Sequence, residues 1–538
     1  MTAQELYKQA IAEFQSGRYE QAVASCREAL RIKPDYAEAH SNLGVMLAAL
    51  GRLDEAAGVL RRALELNPAL VDTRLNLGVM LNRLVGSRSG QALLADRNQE
   101  AGEVRRQYES LPFPPRDPEA ERYVLKVSTP DILAKINQYC FGGSRDFSQP
   151  FRVLAAGCGT GDSVIWLAHQ LRDTPAEIVA IDLSQASLEV AKARARVRRL
   201  DRIRWVHGSL LDAADLGLGV FDYITCLGVL HHLPDPEKGL RALESVLAEQ
   251  GAMAIMLYGA VGRSHIYTTQ RLLQLAAKGL DHPVDRLAFA KRIVANLPAT
   301  NDFRQREGEA INGTYLADDT NFWDTLLHEQ DRAYTVSQLR DYFASAGLKV
   351  QGFTSYMGVG ATTALQYDLD FLVNDPAQSA RLQALSPAER EDAAEILDGS
   401  LSLHTVYAAR APQSALNPTA PEAILSPMSE SGRQILDYLI GGGQDASILL
   451  RNRSTLSYNP TAITRKFLAS IDGRRSNADI AALLGLTDLD PVMRELRIPA
   501  ALHWVTARIS QGTYLPPLPD RGGLSFPLFH CEPSILPL

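Results

Sequence analysis

The apolar positions follow one pattern up to about residue 85 and another from about residue 151. In the first stretch Asn42-Leu43-Gly44-Val45-Met46-Leu47 recurs as Asn76-Leu77-Gly78-Val79-Met80-Leu81, 34 residues on. The same offset links Gly17 to Gly51, Ala22 to Ala56, Ala29 to Ala63 and Pro34 to Pro68. A fixed period of that length predicts stacked helix pairs, with small residues where two helices approach and a proline where the second one stops. Two units are complete, at about 3–36 and 37–70, and a third begins at Val71; its 85–90 stretch breaks the pattern, as a truncated or capping helix would.

From Phe151 short apolar runs alternate with amphipathic stretches, which predicts a parallel α/β sheet. The strands read as Arg152–Ala156, Ile178–Ile181, Ile203–Val206, Tyr223–Leu227 and Ala252–Tyr258, with helices between them. Thr335–Phe343 and Gly347–Phe353 predict the last helix and strand, and residues of about 262–330 read as a helical insertion. The Pro-, Ala- and Ser-rich stretch 411–427 predicts a linker. Beyond it, 463–471 and 476–484 predict two helices around a tight turn, with Ser476 as a cap, in a small winged-helix-like domain. The tail, with Pro516, Pro517, Pro519 and Pro527, reads as extended. The division is then 1–90 helical repeats, 91–150 a helical lead-in, 151–410 the α/β domain with its insertion, 411–427 a linker and 428–538 a small last domain.

Composition narrows the function classes. A chain of 538 residues with 46% hydrophobic and 22% charged side chains is an ordinary globular mix with several cores. Its charge of −7 is uneven: residues 1–85 carry 10 basic and 10 acidic side chains, 428–538 carry 11 and 10, and the middle carries 34 and 42. An acidic middle disfavours a nucleic-acid substrate, which needs clustered Lys and Arg. The near-neutral last domain likewise argues against DNA binding. Five scattered cysteines, with no C-x-x-C pair, argue against a zinc site or a disulfide framework and fit a reducing cytoplasm. The amino terminus lacks an apolar signal core, and no run approaches the roughly 20 apolar residues that span a bilayer. A cytoplasmic protein with no membrane insertion is the expectation.

The strongest chemical signal is Val153-Leu154-Ala155-Ala156-Gly157-Cys158-Gly159-Thr160-Gly161, a strand entering a glycine-rich turn that opens a helix. Glycines there let the backbone approach a ligand closely. Asp182 ends the next strand 21 residues beyond Gly161, where a carboxylate can accept both hydroxyls of a ribose. Dinucleotide enzymes share this geometry with a G-x-G-x-x-G spacing; here the spacing is G-x-G-x-G.

That tighter form resembles the class I S-adenosylmethionine-dependent methyltransferases over roughly 150–260. Phe221–Leu233, with its His231-His232 pair, looks like that family's fourth strand and following loop, and Gly251 precedes the fifth strand. The repeat resembles the tetratricopeptide repeat. The implied fold is a Rossmann-like α/β methyltransferase domain flanked by an N-terminal all-α helical-repeat domain, a helical insertion and a small C-terminal winged-helix-like domain. The implied cofactor is S-adenosyl-L-methionine. Gly157, Cys158, Gly159 and Gly161 would meet its methionine part, Asp182 its ribose, and Leu183 its adenine. Ser209 and Leu210 would border the adenine amine, and Leu227 and Gly228 the amino-acid end. The sequence departs from the family at Ala155 and Ser209, where acidic residues are usual; Asp212 is the nearby candidate for the second. Cys158 and Cys226 also read as small buried hydrophobes, and His231 and His232 as helix caps.

A second resemblance covers about 100–410. Tyr108-Glu109-Ser110-Leu111-Pro112-Phe113-Pro114, Tyr258-Gly259 with Gly262-Arg263, and Leu327 to Val336 look like bacterial methyltransferases that join repeats to a catalytic domain, among them protein lysine methyltransferases of outer-membrane proteins. The resemblance implies a protein or peptide acceptor recruited by the repeats, with His231, Tyr258 and His265 lining the reaction site. Tyr108, Arg263, His328, Asp331 and Arg332 are the substrate-binding candidates, equally readable as structural ion-pair residues. A natural-product methyltransferase acting on a small or carrier-bound molecule, and a non-catalytic cofactor-binding scaffold, are the competing readings. A homodimer is the alternative use of the repeat surface. The basic run Lys192, Arg194, Arg196, Arg198 and Arg199 reads as a solvated helix face.

Overall fold

The structure is a computed structural model that describes residues 1–93, 109, 112–280, 282–308, 310–328, 330–354, 364–373 and 376–411. In the last domain it describes 421, 423–427, 440, 446–449, 455–458, 460–472, 474–493, 495, 505–508 and 524–525.

The 34-residue period folds as five antiparallel helices: α1 (Ala3–Gln15), α2 (Tyr19–Ile32), α3 (Ala37–Ala49), α4 (Leu53–Leu66) and α5 (Val71–Leu93). The repeated glycine earns its place at Gly44, where a Cβ would lie 2.5 Å from Leu60 Cγ of the paired helix. The third unit is a single helix of 23 residues that runs through 85–90.

The described part of the lead-in, 109 and 112–150, is mostly irregular. Among its described residues it contributes the helix α6 (Leu133–Cys140), which lies on the sheet with Tyr139 stacked on Tyr407 at 4.7 Å.

Five parallel strands follow with helices between them: β1 (Arg152–Ala156), α7 (Asp162–Gln170), β2 (Glu177–Asp182), α8 (Gln185–Val197), β3 (Ile203–His207), β4 (Phe221–Leu227), α9 (Pro236–Ser245) and β5 (Leu247–Gly259). The insertion holds α10 (Ser264–Ala276), α11 (Pro283–Ala295), α12 (Asp302–Glu307) and α13 (Asp319–Phe322), with π-helical turns at Ile311–Leu316 and Trp323–Leu327. The chain returns through β6 (Ala333–Tyr334), α14 (Val336–Ala344), β7 (Lys349–Thr354), α15 (Pro387–Asp398) and β8 (Leu403–Ala409).

The sheet order is β3-β2-β1-β4-β5-β8-β7, with β6 pairing beside the end of β5. The first five strands are parallel, and β8 runs antiparallel to both neighbours. One face packs α6 and α7, and the other α9 and α14, so apolar runs on both faces are buried. Strand order reverses between β1 and β4, and in such a sheet ligands bind outside the carboxyl ends of the strands at that point.

The last domain has α16 (Ala462–Ala469) and α17 (Asn477–Leu483), the latter capped by Ser476. The linker expectation at 411–427 is corrected at its end: β9 (Ile424–Pro427) pairs antiparallel with Val505–Arg508, and Ala423 O and Pro421 O accept from Asn477 and Ala478. Residues 421 and 423–427 thus pair with the last domain. Among the described residues no helix is long and apolar enough to cross a membrane.

Candidate functional site

The glycine turn sits at the predicted reversal point. Gly157, Gly159 and Gly161 all have positive φ, at 65°, 51° and 102°, a conformation side chains resist. Space is closed to them as well. A Cβ on Gly157 would lie 2.5 Å from Val229 Cγ2, and one on Gly159 2.5 Å from Phe113 O. The Gly159 amide donates to Asp182 Oδ2 at 2.7 Å, and Ser184 N donates to Oδ1 at 2.9 Å. Each oxygen keeps a lone pair for a ribose hydroxyl. Burial pushes the Asp182 carboxyl above its usual range, and the two amides offset part of that rise.

Leu183 is exposed beside Asp182. Ser209 caps the turn Leu210–Asp212 through Leu211 N at 3.1 Å, Leu210 is buried, and Asp212 faces solvent. Leu227 is half-buried at the end of β4, and Gly228 (φ 76°) donates to Met256 O. Cys226 is buried as a small hydrophobe, whereas Cys158 is only half-buried in the turn.

A strap from the lead-in covers the turn. Phe113 O accepts from Thr160 N at 3.2 Å and Pro114 O from Thr160 Oγ1 at 2.6 Å. Glu109 caps α8 through Gln185 N and Ala186 N at 2.9 and 3.1 Å. Arg116 grips Asp162 with two bonds of 2.9 and 2.6 Å. Tyr108 lies outside the described residues; Glu109 and Phe113, of the same motif, lie on the cofactor side.

The basic run on α8 is not uniformly solvated, which corrects the sequence reading. Arg194 is buried, and its guanidinium binds Glu121 at 2.6 Å, Asp162 at 2.8 Å and Thr160 O at 2.7 Å. Arg198 also reaches Glu121. Glu121 belongs to the turn Pro118–Arg122, which packs against α5, so these pairs bolt the repeats to the glycine turn.

A second cluster lies just past β4 and β5. His231 is fully buried with neither ring nitrogen partnered among the described residues, and its ring lies 3.9 Å from that of Tyr258. His232 stacks on His328 at 4.0 Å. The backbone of Gln330 sets the proton on both: its C=O accepts from His232 Nδ1 at 2.9 Å, and its N–H donates to His328 Nδ1 at 3.1 Å. His232 therefore keeps its lone pair at Nε2, and His328 its proton at Nε2. Burial holds all three imidazoles below their usual range, His328 at about 4. Asp324 comes within 4.8 Å of the donor atoms of His232 and His328. The three fall short of a metal site, because a protonated His328 Nε2 leaves a single imidazole lone pair.

The other candidates separate from this cluster. Arg263 lies over the Tyr258 ring at 3.6 Å and pairs with Asp331 at 3.4 Å, and Asp331 also accepts from Tyr267 and Gln270 at 3.1 Å each. That arrangement is a buttress under Tyr258, with Arg263 Nε left without a hydrogen-bond partner among the described residues. His265 points into the insertion, 2.7 Å from Glu307, and Arg332 is exposed against Pro234 O. His232, Asp324 and Gln330 were missed as site residues. Only the His-His pair gave a signal for the first of them.

A methyltransferase-domain family model matches residues 154–253, and a tetratricopeptide-repeat model matches 7–70. An uncharacterised protein of Synechococcus is 36% identical over 312 residues, covering 57% of this chain and 70% of that protein. A ubiquinone biosynthesis O-methyltransferase of Alkalilimnicola ehrlichii is 30% identical over 30% of this chain, which spans 63% of that enzyme, less than two thirds of its length. Among solved structures, PKMT2 of Rickettsia typhi with AdoHcy is 17% identical, with a TM-score of 0.49 over 72% of this chain and 77% of that one.

Proposed function

This chain belongs to the class I S-adenosylmethionine-dependent methyltransferases, and from that premise we propose that it methylates a nitrogen of a protein or peptide, a lysine amine in particular. One observation carries the reading. The insertion segment that brings Asp324 and His328 to the histidine cluster begins with α13, and α13 packs against the last repeat helix, α5. A surface of the kind that binds peptides thus adjoins the acceptor side of the site. The acidic middle of the chain favours a basic segment.

When bound, S-adenosylmethionine supplies an electrophilic methyl group on a sulfonium. The glycine turn would hold its methionine part and Asp182 its ribose, fixing the direction of approach, so acceleration would come from positioning in a water-poor site. On the acceptor side the imidazoles are neutral at pH 7 and do not repel an incoming cation. Burial among them and beside Tyr258 favours the neutral amine over an ammonium of pKa about 10.4. His232 Nε2 accepts an N–H of that amine, which turns its lone pair outward. His328 Nε2–H and Asp324 complete the wall.

Tritiated donor, the full chain and a lysate of the source cells test the reading: label is expected in protein. Label confined to organic-extractable small molecules would favour the second reading, a small-molecule acceptor, for which the likeness to the ubiquinone-pathway enzyme speaks. The free Cys26, Cys140, Cys158 and Cys226 support a reducing, cytoplasmic setting.

A further inference from the structure

Asp131, in the lead-in, is a fully buried carboxylate outside the glycine turn and the histidine cluster. It accepts from Ser128 Oγ at 2.5 Å and Tyr223 Oη at 2.9 Å, and none of its described partners is a cation. Burial raises its pKa, and the hydroxyls offset part of the rise. A buried charge held only by neutral donors is costly and calls for a compensating charge.

Its position says where that charge would come from. Tyr223 lies opposite Val153 across the β1–β4 pairing, and Thr225 lies opposite Ala155. Ala155 and Tyr223 share one buried cluster, hence one face of the sheet. Ser128 Oγ, on one side of the carboxylate, lies 3.2 Å from Ser163 Oγ in the first turn of α7, the helix that the glycine turn opens. The hydroxyls of Ser163 and of Thr225, the latter buried on the same face, also hydrogen-bond toward the Asp131 carboxyl and hold its pKa down. Through Tyr223 the carboxylate is thus tied to the face of the sheet that carries Ala155, a strand position two residues before the glycine turn with no charge of its own.

The methyl donor presents an α-ammonium at its amino-acid end. We propose that Asp131 is the counter-charge for that ammonium, supplied from the lead-in segment across the glycine turn. The role concerns donor binding and is independent of the acceptor.

Calorimetry on the full chain tests it with two ligands: S-adenosylmethionine, and 5′-methylthioadenosine, which keeps the adenosine and thioether but lacks the amino-acid end. Asp131→Asn is expected to weaken the first by about tenfold or more and to leave the second within about twofold. Equal weakening of both ligands would mean that Asp131 only ties the lead-in to the sheet, and no change in either would also overturn the proposal. If that variant does not fold, Asp131→Asn with Ala155→Asp returns a carboxylate to the same face. The wild-type preference for the donor over methylthioadenosine is then expected, and its loss would overturn the proposal.

Discussion

The Gly159 amide and the Asp182 carboxylate are joined at 2.7 Å, so the turn beneath the donor and the acid at its ribose form one unit. Asp182→Ala removes both the anchor of the turn and the acceptor of ribose hydroxyls. Hydrogen bonds to a charged group contribute about 1.5–3 kcal/mol each, so the donor dissociation constant should rise about 100-fold in a calorimetric titration. Near-normal affinity would refute the cofactor register. Because burial raises the Asp182 pKa, wild-type affinity should fall on acidification before pH reaches the ordinary aspartate value of 3.8.

Arg194 holds two carboxylates, Glu121 and Asp162, from two parts of the chain. Burial alone would raise the Asp162 pKa, but the guanidinium groups of Arg116 and Arg194 win and hold it well below 3.8. Its stabilisation is present above pH about 4 and is lost as pH falls toward that depressed value. Arg194→Leu removes one guanidinium from each anion, leaving Asp162 on Arg116 and Glu121 on Arg198, and urea unfolding should show a loss of about 3–5 kcal/mol. A loss under about 1 kcal/mol would contradict the bolted arrangement.

Gly78 on α5 faces Val124 so closely that an added Cβ would lie 2.5 Å from Val124 Cγ1. Gly78→Val should push the Pro118–Val124 segment off the repeats at a cost of about 1–3 kcal/mol. Limited proteolysis should then cut between repeats and catalytic domain sooner than in wild type, while donor binding persists. Unchanged digestion would show that the repeats dock elsewhere.

The histidine cluster predicts an acid-side loss of stability. An unfolded imidazole takes a proton near pH 6.5, whereas folded His328 takes one at about 4, and His231 and His232 are likewise lowered. In that window the unfolded chain binds more protons, so stability falls as pH drops, by about 1.4 kcal/mol per pH unit for each imidazole. Urea unfolding at pH 7, 6 and 5 measures the slope. His328→Gln should flatten it; an unaltered slope would contradict the neutral cluster.

Much of this was legible in the residues. The 34-residue offset marked the helix pairs, and Arg152–Ala156 formed as read. The other parallel strands matched to within a few residues, because apolar runs bounded by turn residues have few alternatives in a parallel sheet. β8 was not anticipated: it runs straight into a Pro- and Ala-rich stretch, and its pairing partners lie far away in the chain. Arg194 looked solvated because nothing local announces Glu121, 73 residues earlier. The acceptor cluster was half legible. The His-His pair stood out, but its orientation depends on Gln330, 98 residues on, beyond an insertion whose π-helical turns have no local periodic signature.

The most direct test is to identify the methylated atom. The full chain with methyl-labelled donor and source-cell lysate, followed by digestion and tandem mass spectrometry, should show one or more added methyl groups on a side-chain nitrogen of a protein, with lysine the expected residue. Methyl transferred only to a small-molecule oxygen would contradict the protein-acceptor account.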